Sequence, residues 1–202
     1  MQTNPKTEIV FILDQSGSML DLAADTVGGF NSTLSSTRDT EGEALVTTVL
    51  FNHKARTLHE RIPIGQVPKM TLRDYIPAGS TALLDAVGET VEHISNIHRY
   101  ARPEDVPERT VFFITTDGIE NASLHFHADE VRQMIREKTE KSGWEFHFLA
   151  ANIDAVSAAG SIGIPREHAY QVQNDAEGIA RCYRHMAMAM CNPNPQRRRE
   201  KK

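Results

Sequence analysis

The stretch EIVFILDQSGS, Glu8 to Ser18, decides the architecture. Five apolar residues in a row, Ile9 to Leu13, leave no polar face for solvent, which is the pattern of a strand buried on both sides in a parallel sheet. The run then stops at Asp14 and passes into Ser16, Gly17 and Ser18, a cluster of small oxygen-bearing groups. A second run, RTVFFITTD from Arg109 to Asp117, repeats the design and again ends in an acid.

Working outward from these two strands, GSMLDLAADTVGGFNSTLSSTR reads as a helix, with Leu20, Val27, Phe30 and Leu34 near helical spacing and Asp21 and Asp25 near its positive end. ALVTTVLFN and ARTLHERIPI, separated by HK, form a hairpin, so one of them runs antiparallel at an edge. Pro68 and Pro77 mark a connecting loop, and TALLDAVGETVEHISNIHRY is an amphipathic helix with Leu84, Val87, Val91 and Ile94 on one face. After the Asp117 strand come a helix, the strand WEFHFLAA, a helical stretch from Asp154, a short strand over Ala169 to Val172, and a last helix from Asp175 to about Met190. Strands alternating with helices predict an α/β fold: a doubly wound, mostly parallel central sheet with one antiparallel edge strand and helices on both faces. One domain over residues 1–191 is expected, with the basic stretch 192–202 a disordered, solvated tail.

Composition narrows the function classes. Of the 202 residues, 40% are hydrophobic and 24% charged, ordinary values for a soluble globular chain, and the net charge of −5 is spread rather than blocked, which argues against nucleic-acid binding. No leader pattern opens the sequence, and no apolar stretch approaches the roughly 20 residues of a membrane helix, so no membrane association and a cytoplasmic location are expected. Cys182 and Cys191 share a predicted helix, about 13 Å apart along its axis, beyond the roughly 7 Å reach of a disulfide. They read as free thiols in a reducing compartment.

Ligands of doubly wound sheets gather outside the carboxyl ends of the strands. Three loops fall there: Asp14, Ser16 and Ser18 on the first, Thr81 within GSTALLDA on the second, and Asp117 within TTDGIEN on the third. They offer carboxylates and hydroxyls only, the hard-oxygen set that suits Mg²⁺ or Mn²⁺ rather than Zn²⁺. With neutral Ser16, Ser18 and Thr81 as ligands and both aspartates acting through water, an ion would keep much of its field and an exchangeable position, and would attract an external carboxylate. Gly17 and Gly118 suit tight turns in these loops, and helix N-termini after Ser18 and Thr81 would help to attract an anion.

Asp-x-Ser-x-Ser followed by Thr81 and Asp117 in this order resembles the metal-ion-dependent adhesion site of the von Willebrand factor A family. The likeness extends from Glu8 to about Met190, and it is to a compact, stand-alone bacterial member. The resemblance implies a Rossmann-like fold, a bound Mg²⁺ or Mn²⁺, and a non-enzymatic module that grips an acidic residue of a partner protein, with AAA-type ATPase systems as one class of partner. Ser16, Ser18 and Thr81 would be direct ligands, and Asp14 and Asp117 would act directly or through water. Related domains couple a shift of the last helix to the metal loops, which makes Asp175 to Met190 a candidate switch.

Other readings of the same residues stay open at this level. Asp14, Ser16 and Ser18 could be helix caps. Asp85, one turn past Thr81, could accept hydrogen bonds behind the ion or be a solvated first-turn acid. A Mg²⁺ phosphotransferase of the haloacid-dehalogenase type also places an Asp at the end of its first strand, but it needs a second acid two residues on, where Ser16 stands. A structural domain whose ion pins the loops is a third possibility. His125 and His127 lack a third partner by spacing and read as surface histidines. The methionines at 186, 188 and 190 read as packing residues.

Overall fold

The computed structural model describes residues 7–38, 44–151, 153–173 and 175–191. The expected basic tail, 192–202, lies outside the described residues. Strand β1 (Thr7–Asp14) is followed by a 3-10 turn (Gly17–Leu22), helix α1 (Ala23–Thr37), and the hairpin of β2 (Ala44–Phe51) and β3 (Ala55–Pro63). Then come α2 (Leu83–Tyr100), β4 (Arg109–Thr116), α3 (Ala128–Ser142), β5 (Glu145–Ala150), α4 (Ala155–Ser161), β6 (Ala169–Gln171) and α5 (Ala176–Cys191).

The strands form one sheet in the order β3-β2-β1-β4-β5-β6, in which β2 and β3 pair antiparallel and every other pair is parallel. The antiparallel member is therefore the edge strand β3, as the hairpin signal requires. Charged and polar residues of β3 such as Arg56, Thr57 and Glu60 face solvent, which blunts an edge that would otherwise template further pairing.

The continuous apolar run of β1 is divided residue by residue between two cores. Ile9, Phe11 and Leu13 pack with Phe30 and Leu34 of α1 and Ile179, Tyr183 and Met186 of α5. Val10 and Ile12 face the other way, toward Val87, Val91 and Ile94 of α2, Val131 and Ile135 of α3, and Ala155 and Ala159 of α4. Strand periodicity of two and helices on both faces are thus one and the same fact. Met186 and Met190 are fully buried in the first core, whereas Met188 is exposed.

The segment after β1 departs from the sequence expectation. A continuous helix from Gly17 was expected; the chain makes a 3-10 turn first, and α-helical geometry starts only at Ala23. The cause is the anchoring of the loop: Gly17 N donates to Gly79 O at 3.0 Å and Met19 N to Ser16 O at 3.1 Å, a tight i to i+3 turn. The serine hydroxyls take no part in capping either helix.

Candidate metal centre

β1 and β4 are neighbours in the sheet, so their ends bring Asp14 and Asp117 to the same edge. Asp14 is fully buried and both its oxygens are engaged: Oδ1 accepts from the Ser16 amide at 2.6 Å and Oδ2 from the Thr116 hydroxyl at 2.6 Å. Burial pushes the Asp14 carboxyl up from its ordinary range; the hydrogen bonds from Thr116 and Ser16 work against that rise, and the negative Asp117 adds to it. The Tyr75 hydroxyl donates to the Asp14 carbonyl, which fixes the strand end from below.

Ser18 links the two strand ends. Its hydroxyl lies 3.2 Å from that of Ser16 and donates to Asp117 Oδ1 at 2.6 Å. Thr81 completes the group: a methyl placed on Gly118 would stand 3.1 Å from Thr81 Oγ1 and 3.8 Å from Ser18 Oγ, so the bare glycine leaves room beside both hydroxyls. Ser16, Thr81 and Asp117 are buried, while Ser18 is exposed, so the group opens to solvent on one side. All five residues singled out by the motif therefore lie together.

Within this group of five, one buried side-chain atom lacks a partner. Asp117 Oδ2 is buried and accepts no hydrogen bond. A buried carboxylate oxygen without a partner costs on the order of 1–3 kcal/mol, and a divalent cation among the adjacent hydroxyls would remove that cost. Among the described residues, no group of three or more His, Cys, Asp or Glu side chains could share a metal ion. The hydroxyls and carboxylates gathered here are the donor set that fits a hard cation. His125 and His127 are exposed.

The loops are tied to one another by bonds that the sequence does not advertise. Gly79, at φ +77°, accepts from Gly17, and a side chain there would meet the His53 ring at 2.7 Å. Ala78 N donates to Gln15 O at 2.9 Å and Ala82 N to Asn52 O at 2.7 Å. Asn121 and Thr81 exchange two bonds, Thr81 N to Asn121 Oδ1 at 2.9 Å and Asn121 N to Thr81 O at 3.0 Å. Glu120 accepts from Leu84 N at 2.9 Å, and Ser123 Oγ accepts from Asp85 N at 3.1 Å. The loop after β4 thus caps the Leu84 and Asp85 amides of the α2 N-terminus, where an external anion was expected.

Asp85, considered as an acceptor behind the ion, turns its carboxylate to that loop instead. It accepts from the amides of Leu124, His125 and Phe126 at 2.8, 2.9 and 2.8 Å. Burial raises its carboxyl pKa, but the three amide bonds outweigh that and hold it below the ordinary range. Thr116, Tyr75, Glu120 and Asn121 escaped the sequence reading. Thr116, Glu120 and Asn121 lie inside the TTDGIEN stretch, where a Glu and an Asn shortly after a strand-end Asp-Gly are the available signal.

No protein-family model matches the chain, and no curated protein matches it. Solved structures do. The pilus adhesin SpaC from Lactobacillus rhamnosus GG superposes with a TM-score of 0.68 at 13% identity over 95% of this chain and 30% of its own. The vWF domain of the type V pili tip protein Mfa5 from Porphyromonas gingivalis gives 0.63 at 12% identity, over 95% of this chain and 98% of its own. Proximal thread matrix protein 1 from the mussel byssus, in a form with a zinc-occupied MIDAS motif, gives 0.61 at 16% identity, over 93% of this chain and 46% of its own. The chain spans under half the length of the adhesin and of the byssus protein. At these identities the likeness is one of fold, and the fold is that of von Willebrand factor A domains.

Proposed function

We propose that this von Willebrand factor A fold carries a metal-dependent protein-binding module. Ser16, Ser18 and Thr81 would hold a Mg²⁺ or Mn²⁺ ion, with Asp14 and Asp117 balancing its charge, and an Asp or Glu of a partner protein would complete the shell. The observation that carries this reading is the buried, unpartnered oxygen of Asp117 beside hydroxyls brought together from separate loops. When bound, the ion supplies a positive field that a partner's carboxylate can satisfy.

The chain's own residues do the rest. Thr116 and the Ser16 amide each donate to one oxygen of Asp14 and so hold that carboxylate in place beside the hydroxyls. Asn121 and Gly79 fix the backbones that carry Thr81 and Gly17. The hydroxyl of Ser16, two residues past Asp14, is too weak an acid to protonate a leaving group, which favours binding over phosphoryl transfer. The zinc-occupied motif of the byssus protein shows that a fold of this kind can hold a divalent ion.

Calorimetric titration of the metal-stripped chain with Mg²⁺ and Mn²⁺ tests the reading, followed by capture of an Asp-containing peptide in the presence and absence of chelator. One ion per chain, and capture that chelator abolishes and Asp117→Ala loses, are expected. Metal-stimulated phosphatase turnover, or metal uptake that raises the melting temperature with no chelator-sensitive capture, would overturn it in favour of an enzyme or a loop-pinning ion respectively.

A further inference from the structure

Among the described residues eight large apolar side chains are exposed, and four of them stand on the loops that build or brace the hydroxyl group: Leu20 at 65%, Ile76 at 62%, Ile119 at 72% and Leu124 at 83%. Leu20 follows Ser18 by two residues, and Ile119 follows Asp117 by two. Ile76 sits between Tyr75, whose hydroxyl donates to the Asp14 carbonyl, and Ala78, whose amide donates to Gln15 O. The amide of Leu124 is held by Asp85 in the first turn of α2, the helix that starts two residues past Thr81.

Leu124 is held by its own amide, and the other three stand one or two residues from Ser18, Tyr75 and Asp117, which are themselves hydrogen-bonded within these loops. Single exposed leucines are ordinary, but four on the loops that carry one polar centre match an interface whose apolar contacts accompany a specific polar contact. A free small carboxylate would leave this rim wet, and a run of acidic residues would set charges against apolar surface.

We infer that the face takes a partner polypeptide segment in which a single Asp or Glu is flanked by large apolar residues, the acid directed to the centre and its neighbours covering Leu20, Ile76, Ile119 and Leu124. This rests on the metal-dependent binding proposed above and names the chemistry of its partner. The acid supplies dependence on the ion, and the flanks supply affinity and selectivity among acidic segments.

A library of synthetic heptapeptides with Asp fixed at the centre and the other six positions varied tests it. The library is captured on the immobilised full chain in Mg²⁺, released with chelator and sequenced beside a library with Asn fixed instead. Enrichment of Leu, Ile, Val, Phe or Met on either side of Asp is expected. Leu20→Ser and Ile119→Ser should each weaken an enriched peptide about tenfold, and a glycine-flanked Asp peptide by less than about twofold. Chelator-sensitive capture of Asp over Asn with random or acid-rich flanks would overturn the inference and leave the metal-dependent reading standing. Equal capture of the Asn and Asp libraries would overturn that reading and this inference together.

Discussion

Replacing Thr116 by Val tests whether the aspartate at the end of β1 is held in place by the protein itself. The two side chains are nearly the same shape, so the change removes one hydroxyl from a buried site. That hydroxyl donates to Asp14 Oδ2 at 2.6 Å and accepts from the Gly118 amide at 3.1 Å. A hydrogen bond to a charged group contributes about 1.5–3 kcal/mol, and leaving the Gly118 amide without its acceptor adds about 1 kcal/mol more, for a loss of roughly 2–4 kcal/mol. In a domain of this size that is a fall in melting temperature of about 4–16 °C. Scanning calorimetry in chelator is the assay, because both bonds lie within the protein and need no ion. Thr116→Ser keeps both bonds and gives up only a methyl, so it should retain more than half of the lost stability. A Thr116→Val variant that melts within about 2 °C of the parent, or a Ser variant less stable than the Val variant, would refute the reasoning.

Two further outcomes follow from groups away from the centre. His147 lies between Phe113 and His168, stacked at 5.2 and 4.7 Å, and both its ring nitrogens are buried without partners. Burial, with a smaller push from His168, lowers its pKa from 6.5 to about 4. The unfolded chain therefore binds the proton first, and stability falls as pH drops from about 6.5 toward 4, by on the order of 3 kcal/mol in all. Urea melts at pH 7 and pH 5 should show about 2 kcal/mol of this loss, and His147→Phe should reduce it; an unchanged pH dependence would count against the assignment. Arg109 makes two bonds of 3.0 Å to Glu145 and donates to the carbonyls of Ala189 and Met190 at 2.7 Å, closing the C-terminus of α5. Both side chains are largely buried, so Arg109→Ala should cost about 3–5 kcal/mol and speed amide exchange in the last turns of α5 more than in α1. Equal exchange in the two helices would show that the clamp does not hold α5.

Much of this architecture was legible in the sequence because it is periodic or local. The unbroken apolar runs of β1 and β4, the short polar gap of the hairpin and the acid at each strand end are adjacent-residue signals, and the hydroxyl motif is short enough to read directly. What escaped depends on distant pairings. The role of Asp85 is set by amides 39 to 41 residues away, and a first-turn acid looks the same in sequence whether it faces an ion, solvent or a loop. Thr116 looked like one more strand residue because its hydroxyl matters only once β1 lies alongside β4. The 3-10 turn at Gly17–Leu22 followed from the bond to Gly79, more than sixty residues on. The Arg109 clamp likewise closes on α5 about eighty residues downstream.

The claim on which the proposed function stands is that a divalent ion seats among the hydroxyls of Ser16, Ser18 and Thr81. Anomalous diffraction from a crystal of the chain soaked in Mn²⁺ measures this directly. The account predicts a single strong peak within bonding distance of those three oxygens, absent from a Ser18→Ala crystal treated in the same way. A fully soaked crystal with no peak there, or with its main peak at exposed histidines such as His125 and His127, would contradict it.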